Sequence, residues 1–304
     1  MGQLGWVEVD APTVTLRALT WTPADNEADA PIALCLHGFP DTAHGWRLAA
    51  PKLAAAGWRV VAPFMRGYAP STIPSEGSYH IGALMDDALR VLDAVGPTGQ
   101  DVIIGHDWGA VAGAGLAAMP DSPFRKAVIM SVPLAAAFRP LGRVPDVGRL
   151  VALLPRQIVR SWYIAYFQLP LLPERSASRI PRRLWRQWSP RYDATQDVRH
   201  VDAAIGTPES WRAALGPYRA TVRNSAPPPQ YAELHRHWMS APRVPTLYLH
   251  GADDGCASPE FSDWVAHVLP PGSDVQSVPH AGHFLQLEQP DVVASQILDF
   301  VGRP

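Results

Sequence analysis

Three short stretches hold the residues most able to do chemistry: Gly105-His106-Asp107-Trp108-Gly109, Asp253-Asp254 and His280-Ala281-Gly282-His283. Asp107 has a glycine two positions away on each side. The apolar run Val102-Ile103-Ile104 before it reads as a buried strand, and the small-residue run Gly109 to Ala118 after it reads as a helix. A sharp corner between strand and helix strains its central residue, so the flanking residues must be small. Asp107 would then stand at the C-terminal end of the strand, beside a helix N-terminus that favours an anion. A simple helix cap would also explain an Asp here, but capping asks for no flanking glycines. A carboxylate presented in this way is a nucleophile that forms an ester with an electrophilic carbon.

The other two stretches each follow an apolar strand-like run. Asp254 follows Thr246 to His250, as an orienting acid would, and His283 follows Asp274 to Val278, as a base would. Asp254 is preferred to Asp253 because it lies deeper in the loop, three residues past Gly251. A histidine needs an acid on one ring nitrogen to fix its tautomer and leave the other free. Either histidine of the last stretch, taken alone, would be read as a surface or core residue. Nucleophile, acid and histidine in this order, each just after a strand, form a chemical set. The run Lys126 to Val132 ends in Ser131-Val132-Pro133 with no acid, which leaves Asp254 as the orienting carboxylate.

The elements that must hold these residues follow from periodicity. Trp6 to Asp10 and Val14 to Trp21 read as an antiparallel opening pair, and Ile32 to Leu36, Trp58 to Phe64 and Lys126 to Val132 read as further strands. Helices are expected over residues 42–56, 78–95 and 289–302. Strand alternating with helix predicts an α/β protein with a mostly parallel, doubly wound sheet. From residue 134 to 235 no strand pattern is visible, so this stretch is expected to be a helical insertion over the sheet's C-terminal edge. Residues 1–133 and 236–304 form the core. Ala226-Pro227-Pro228-Pro229-Gln230, within the insertion, is the chain's one stiff, linker-like segment.

On these residues the chain resembles an epoxide hydrolase of the α/β-hydrolase fold nearly end to end. His37-Gly38-Phe39-Pro40 resembles that family's oxyanion loop, with Pro40 cis, and Gly105-His106-Asp107-Trp108-Gly109 resembles its nucleophile motif. Arg66-Gly67-Tyr68 and Gly282-His283-Phe284 also fit. The insertion would be the family's helical cap. The resemblance implies that Tyr163, in Trp162 to Gln168, and Tyr218, in Pro217-Tyr218-Arg219, protonate the epoxide oxygen. Gly216-Pro217 departs from the pattern by breaking or restarting a helix just before Tyr218. Tyr166 and Phe167 read as packing residues. The implied cycle is attack of Asp107 on an epoxide carbon, then hydrolysis of the ester by water activated by His283 and Asp254. The N–H groups of Phe39 and Trp108 would form the oxyanion hole. His37, Pro40, Phe138 and Trp162, with Phe39 and Trp108, are expected to line an apolar pocket for a small apolar epoxide. The cycle needs no cofactor and no metal. A haloalkane or haloacid dehalogenase shares the Asp nucleophile and is the alternative, and a non-catalytic ligand-binding relative is the third reading.

Composition sets the outer bounds. The chain has 304 residues, 47% of them hydrophobic, enough for one large domain with an insertion. A net charge of -2 argues against bulk binding of nucleic acid. Cys35 and Cys256 are the only cysteines, one in a strand and one in a loop, so no disulfide framework is expected. His235-Arg236-His237 and His280-Ala281-Gly282-His283 lack partners at metal-ligand spacing. Residues 1–10 lack the basic start and apolar core of a signal peptide, and no run is long enough to span a membrane, so a cytoplasmic location is expected. The insertion carries Arg139, Arg143, Arg149, Arg156, Arg160, Arg182, Arg183 and Arg186 amid Leu, Trp and Val. They read first as a solvated helical face and second as a surface facing a membrane or lipid. Nothing in the sequence fixes an oligomeric state.

Overall fold

The computed structural model describes residues 4–24, 29–139 and 146–302. Eight strands form one sheet: β1 (Leu4–Asp10), β2 (Thr15–Trp21), β3 (Ile32–Leu36), β4 (Arg59–Pro63), β5 (Val102–His106), β6 (Lys126–Met130), β7 (Thr246–Gly251) and β8 (Asp274–Val278). Their order is β1-β2-β4-β3-β5-β6-β7-β8. β2 pairs antiparallel with β1 and β4, and every pairing from β4 to β8 is parallel. The opening pair and the parallel sheet are therefore as expected.

β3 and β5 are buried along their whole length, which is why they read as unbroken apolar runs and not as alternations. Alternate residues still part to opposite faces. Val102 and Ile104 join the core on one side of the sheet, and Ile103 joins the core on the other. Helices α1 (Ala50–Ala55), α2 (Ile81–Val95) and α3 (Trp108–Ala117) connect the early strands. The helix expected over residues 42–56 is broken in two. Thr42 caps a tight turn over Ala43–Trp46 by accepting the His44 N–H, and α1 starts afresh with Pro51 in its first turn, where a missing N–H costs nothing.

The strand-free stretch holds α4 (Val147–Arg160), α5 (Trp162–Tyr166), α6 (Ile180–Trp188), α7 (Thr195–Ile205), α8 (Pro208–Ala214), α9 (Gly216–Val222) and α10 (Pro229–His235). Arg143, one of the arginines singled out in the sequence, lies outside the described residues. Phe167, Trp185, Trp188 and Trp211 are fully buried and continuous with the core on one face of the sheet. Among the links that tie this layer to the core, the Trp185 indole N–H donates to the Pro40 carbonyl at 2.9 Å, and Arg47 forms an ion pair with the buried Asp197. α10 lies against α2, with the Gly82 N–H donating to His235 Nδ1 at 3.2 Å, so the last helix of the stretch packs with the core. α11 (Ser262–Ala266), α12 (Leu285–Glu288) and α13 (Pro290–Val301) complete the chain. Cys35 and Cys256 are both buried and free. Among the described residues, no helix is long and apolar enough to cross a membrane.

Candidate active site

Asp107 directly follows β5 and stands at the N-cap of α3 with φ 52° and ψ -118°. This is the strained corner expected of it. A Cβ on Gly105 would come within 2.3 Å of the Gly109 carbonyl oxygen, and one on Gly109 within 2.3 Å of the Leu36 carbonyl oxygen. Only glycine lets the turn close and the oxyanion loop pass beside it. The loop after β3 reaches the same carboxylate. The Phe39 N–H donates to Asp107 Oδ1 at 2.7 Å, next to a cis Phe39–Pro40 bond. A Cβ on Gly38 would lie 2.3 Å from that oxygen and 2.5 Å from the Trp108 nitrogen, so both N–H groups border one small space.

His283 lies across from them. Its Nε2 is 3.5 Å from Asp107 Oδ2, and its Nδ1 is 3.0 Å from Asp254 Oδ2. The loop holding His283 is fixed through its backbone. Its carbonyl accepts from His106 Nε2 at 2.9 Å and from Ser131 Oγ at 2.7 Å, and its N–H donates to the Trp188 carbonyl at 3.1 Å. Asp254 accepts the N–H groups of Cys256 and Ala257 at 2.6 and 3.1 Å, and His250 Nε2 lies 3.3 Å away. Asp253 points elsewhere and pairs with Arg191 at 3.2 Å.

The electrostatics follow from this arrangement. Burial opposes charge at all three positions, but the partners outweigh it. Burial alone would lower the His283 pKa, yet Asp254 and Asp107 push it up to about 10. Burial would raise both carboxyls, yet His283 holds Asp254 and Asp107 below the usual carboxylate range. At neutral pH the resting site is an imidazolium between two carboxylates. His106 is pushed down to about 3 by burial and then by His283, so it stays neutral and serves only as a donor.

Tyr163 lies in α5, and Tyr218 lies in the first turn of α9, where Pro217 restarts the helix. The two rings meet edge to face at 5.7 Å, and Tyr218 meets the Trp108 ring at 4.9 Å. Burial first, and nearby acidic groups second, hold both phenols well above their ordinary pKa, so both carry their protons. Tyr163 Oη has one neighbour, Cys256 Sγ at 3.6 Å. Tyr218 Oη and Trp108 Nε1 are both buried; among the described residues neither makes a hydrogen bond of good geometry, and the indole N–H lies close enough to the phenol to oppose slightly the rise in its pKa. A cavity of about 280 Å³ opens among Asp107, Trp108, Tyr163 and Tyr218, and Val111, Ile164 and Phe261 make much of it apolar.

Five of the six residues expected to line the pocket do not line this cavity. His37 is fully buried behind the oxyanion loop, where its Nε2 accepts the Met65 N–H at 3.0 Å. Pro40 receives the Trp185 indole on its carbonyl, and Phe138 packs edge to face on Phe261 at 5.5 Å. Trp162 is half-buried against the core cluster, with the Arg183 guanidinium 4.3 Å from its ring centroid. Phe39 contributes its N–H, while its ring packs on Phe167, Trp211 and Tyr218. The wall is supplied partly by residues the sequence did not mark: Gln157 and Ser161 from the end of α4, and Cys256 and Ala257 after β7. Only the loop position of Cys256, two residues past Asp254, hinted at this. Among the described residues one group has ligand atoms close enough to hold a metal: Asp254, Cys256 and His283, within 4.8 Å of one another. Its Asp and His are already bonded together, and burial holds the Cys256 thiol well above its ordinary pKa, so it keeps its proton.

A family model described as the alpha/beta hydrolase fold matches residues 31–290. The Bacillus subtilis AB hydrolase superfamily protein YfhM is 30% identical over 287 residues, covering 91% of this chain and 92% of that one. The chain belongs to the α/β-hydrolase fold family. Epoxide hydrolase A of Mycobacterium tuberculosis is 29% identical, with 96% of each chain covered. Among solved structures, one from Klebsiella pneumoniae superposes with a TM-score of 0.79 at 22% identity over 97% of both chains. Epoxide hydrolase A of Mycobacterium thermoresistibile superposes with a TM-score of 0.71 at 24% identity over 98% of both chains. These two likenesses bear on the fold alone.

Proposed function

We propose that the protein is an epoxide hydrolase that converts a small apolar epoxide and water to a vicinal diol. The observation that carries this reading is Asp107 at the strained corner, one oxygen on the Phe39 N–H and the other facing His283, with two protonated tyrosines at the same cavity. The epoxide hydrolases among the relatives support it.

In this reading Asp107 Oδ2 forms a bond to an epoxide carbon as the ring C–O bond breaks. A tyrosine proton passes to the leaving oxygen. Esterification removes the Asp107 charge, one of the two that hold the His283 proton. That proton then returns to the tyrosinate and leaves His283 neutral. Neutral His283 takes a proton from water, whose oxygen adds to the carbonyl carbon of Asp107. The oxyanion gathers on Oδ1, beside the N–H groups of Phe39 and Trp108. Collapse expels the diol, which takes the proton on His283. The Asp107 carboxyl re-ionises to His283 and restores the starting state. Protons balance, and no cofactor enters. We place the end of the cap at the prolines of residues 226–230, ahead of α10, because α10 packs on α2.

The test is turnover of a panel of epoxides, read by mass spectrometry as diol, for the wild type and Asp107→Ala. Diol from the wild type and none from a folded variant is the expected result, and diol from both overturns the assignment. Haloalkanes run alongside address the second reading. The Trp108 indole N–H, which lines the same cavity as Asp107 and makes no hydrogen bond of good geometry among the described residues, favours a halide there, so halide release without diol formation would make the protein a dehalogenase.

A further inference from the structure

α4 is apolar on two sides. Leu150 is buried, and Gln157 binds the Cys256 carbonyl and the Ser258 N–H at 3.0 Å each while lining the cavity. That side roofs the active site. On the outer side Val147, Val151, Leu154 and Ile158 recur at the helical spacing of one face, and all four are exposed. Val151 is 56% and Ile158 68% exposed. On the side of the helix opposite the stripe runs a row of arginines, Arg149, Arg156 and Arg160. Arg149 pairs with Asp263 at 2.7 Å and Arg156 with Glu260 at 3.5 Å, both on the core. The row fastens the helix so that the apolar stripe faces out. After α5 the chain exposes a second apolar group, Leu169, Leu171 and Leu172, with Leu171 at 67%.

Charge is divided in the same sense. Residues 134–235 carry fifteen arginines against seven acids, a net +8, while the rest of the chain carries -10. Arg175, Arg179, Arg183 and Arg186, on and just before α6, are exposed and make no ion pair among the described residues. An outward apolar stripe on a basic layer is what an amphipathic helix presents to a lipid surface with anionic headgroups.

We propose that the outer face of α4, with its basic surroundings, docks the protein on an anionic lipid surface, the roof of the cavity lying against the lipid. The inference is independent of the reaction, because neither the stripe nor these arginines touch the cavity. The experiment is co-sedimentation of the full-length protein with vesicles of phosphatidylcholine, with and without phosphatidylglycerol. Binding is expected to the anionic vesicles, weak or absent on phosphatidylcholine alone, and lost in about 1 M salt, where charge is screened beyond about 3 Å. Val151→Glu/Ile158→Glu should reduce the bound fraction about tenfold while melting at the wild-type temperature and keeping wild-type turnover of a water-soluble substrate. The milder Val151→Ser/Ile158→Ser should fall between. No binding to anionic vesicles at low salt overturns the proposal. So does equal binding by the wild type and the folded glutamate or serine variants. A dimer in sedimentation velocity that the glutamate variant dissolves, without lipid binding by the wild type, assigns the stripe to a second copy and also overturns it.

Discussion

His283 is the residue on which the two half-reactions part. In the proposed cycle it is not needed for Asp107 to attack, but it is needed to activate water. In His283→Gln the ester should form and persist, because an amide is no effective base. Intact-protein mass spectrometry should show one added substrate mass, and peptide mapping should place it on Asp107. Loss of alkylation together with hydrolysis would mean that His283 supports attack as well. The same residue predicts a pH dependence of stability. Its pKa rises from 6.5 to about 10 on folding, so the folded chain binds a proton more tightly than the unfolded one. That contribution is complete below about pH 6.5 and is lost as pH climbs through about 10. Asp107 and Asp254 act in the opposite sense, stabilising above their ordinary carboxylate range and less in acid. The stability gap between the wild type and His283→Gln, read by urea unfolding, should therefore be widest near pH 6 and narrow toward pH 10. A gap constant across that range would mean that His283 is not charged in the folded chain. The tyrosines differ in their surroundings. Tyr163 has Cys256 beside its oxygen, and Tyr218 has the Trp108 indole nearby without a hydrogen bond of good geometry. Each single Phe variant should slow ester formation by about tenfold, and the double variant by ~10²–10⁴-fold. Stopped-flow alkylation of the His283→Gln background would measure it. An unaffected Tyr218→Phe would leave Tyr163 as the sole donor.

At the scale of elements, the sequence was most legible where one element does one thing. β3 and β5 are buried on both faces, so they appeared as bare apolar runs, and the glycines of the corner marked where the chain must turn within van der Waals contact of itself. It was least legible where two elements share a job. The pocket wall is assembled from the end of α4 and the loop after β7, which are far apart in sequence, and neither carries a periodic signal for the cavity. Trp162 and Phe138 illustrate the same limit: an aromatic in the right segment can as easily cover a surface or wedge a helix as line a pocket. The junction between layers was equally hidden. Arg47, after the turn at Ala43–Trp46, reaches Asp197 in α7, and Tyr192 Oη donates to the same carboxylate at 2.9 Å. Asp197 is 2% exposed in its side chain and Arg47 18%, so removing the acid strands a cation that water only partly reaches. Asp197→Ala should cost about 3 kcal/mol. Urea titration would check it, and a loss within about 0.5 kcal/mol would class the link with ordinary surface pairs.

At the scale of the whole molecule, charge is separated more than net charge reveals. The formal charge of -2 and a pI of about 6.6 describe a mildly acidic protein, which as a uniform body would pass through a cation exchanger at pH 8. The division into +8 over residues 134–235 and -10 over the rest of the chain predicts otherwise. A surface meets one side of a protein at a time, and even in about 0.01 M salt, where the Debye length is about 30 Å, it senses the far side more weakly than the near one. The basic layer alone should therefore hold the untagged protein on the resin at low ionic strength, above its isoelectric point. Salt of about 0.1–0.2 M should release it, since that shortens the screening length below the width of the arginine field. Reversing two unpaired positions on α6, as in Arg183→Glu/Arg186→Glu, lowers the cap by four charges and should move elution to markedly lower salt. The same reversal at Asp121 and Asp274, acids on the core, to Lys should leave elution nearly unchanged, although it raises net charge by four. If elution instead followed net charge across the three proteins, the arginines would be spread evenly to the resin and the cap would not act as a pole.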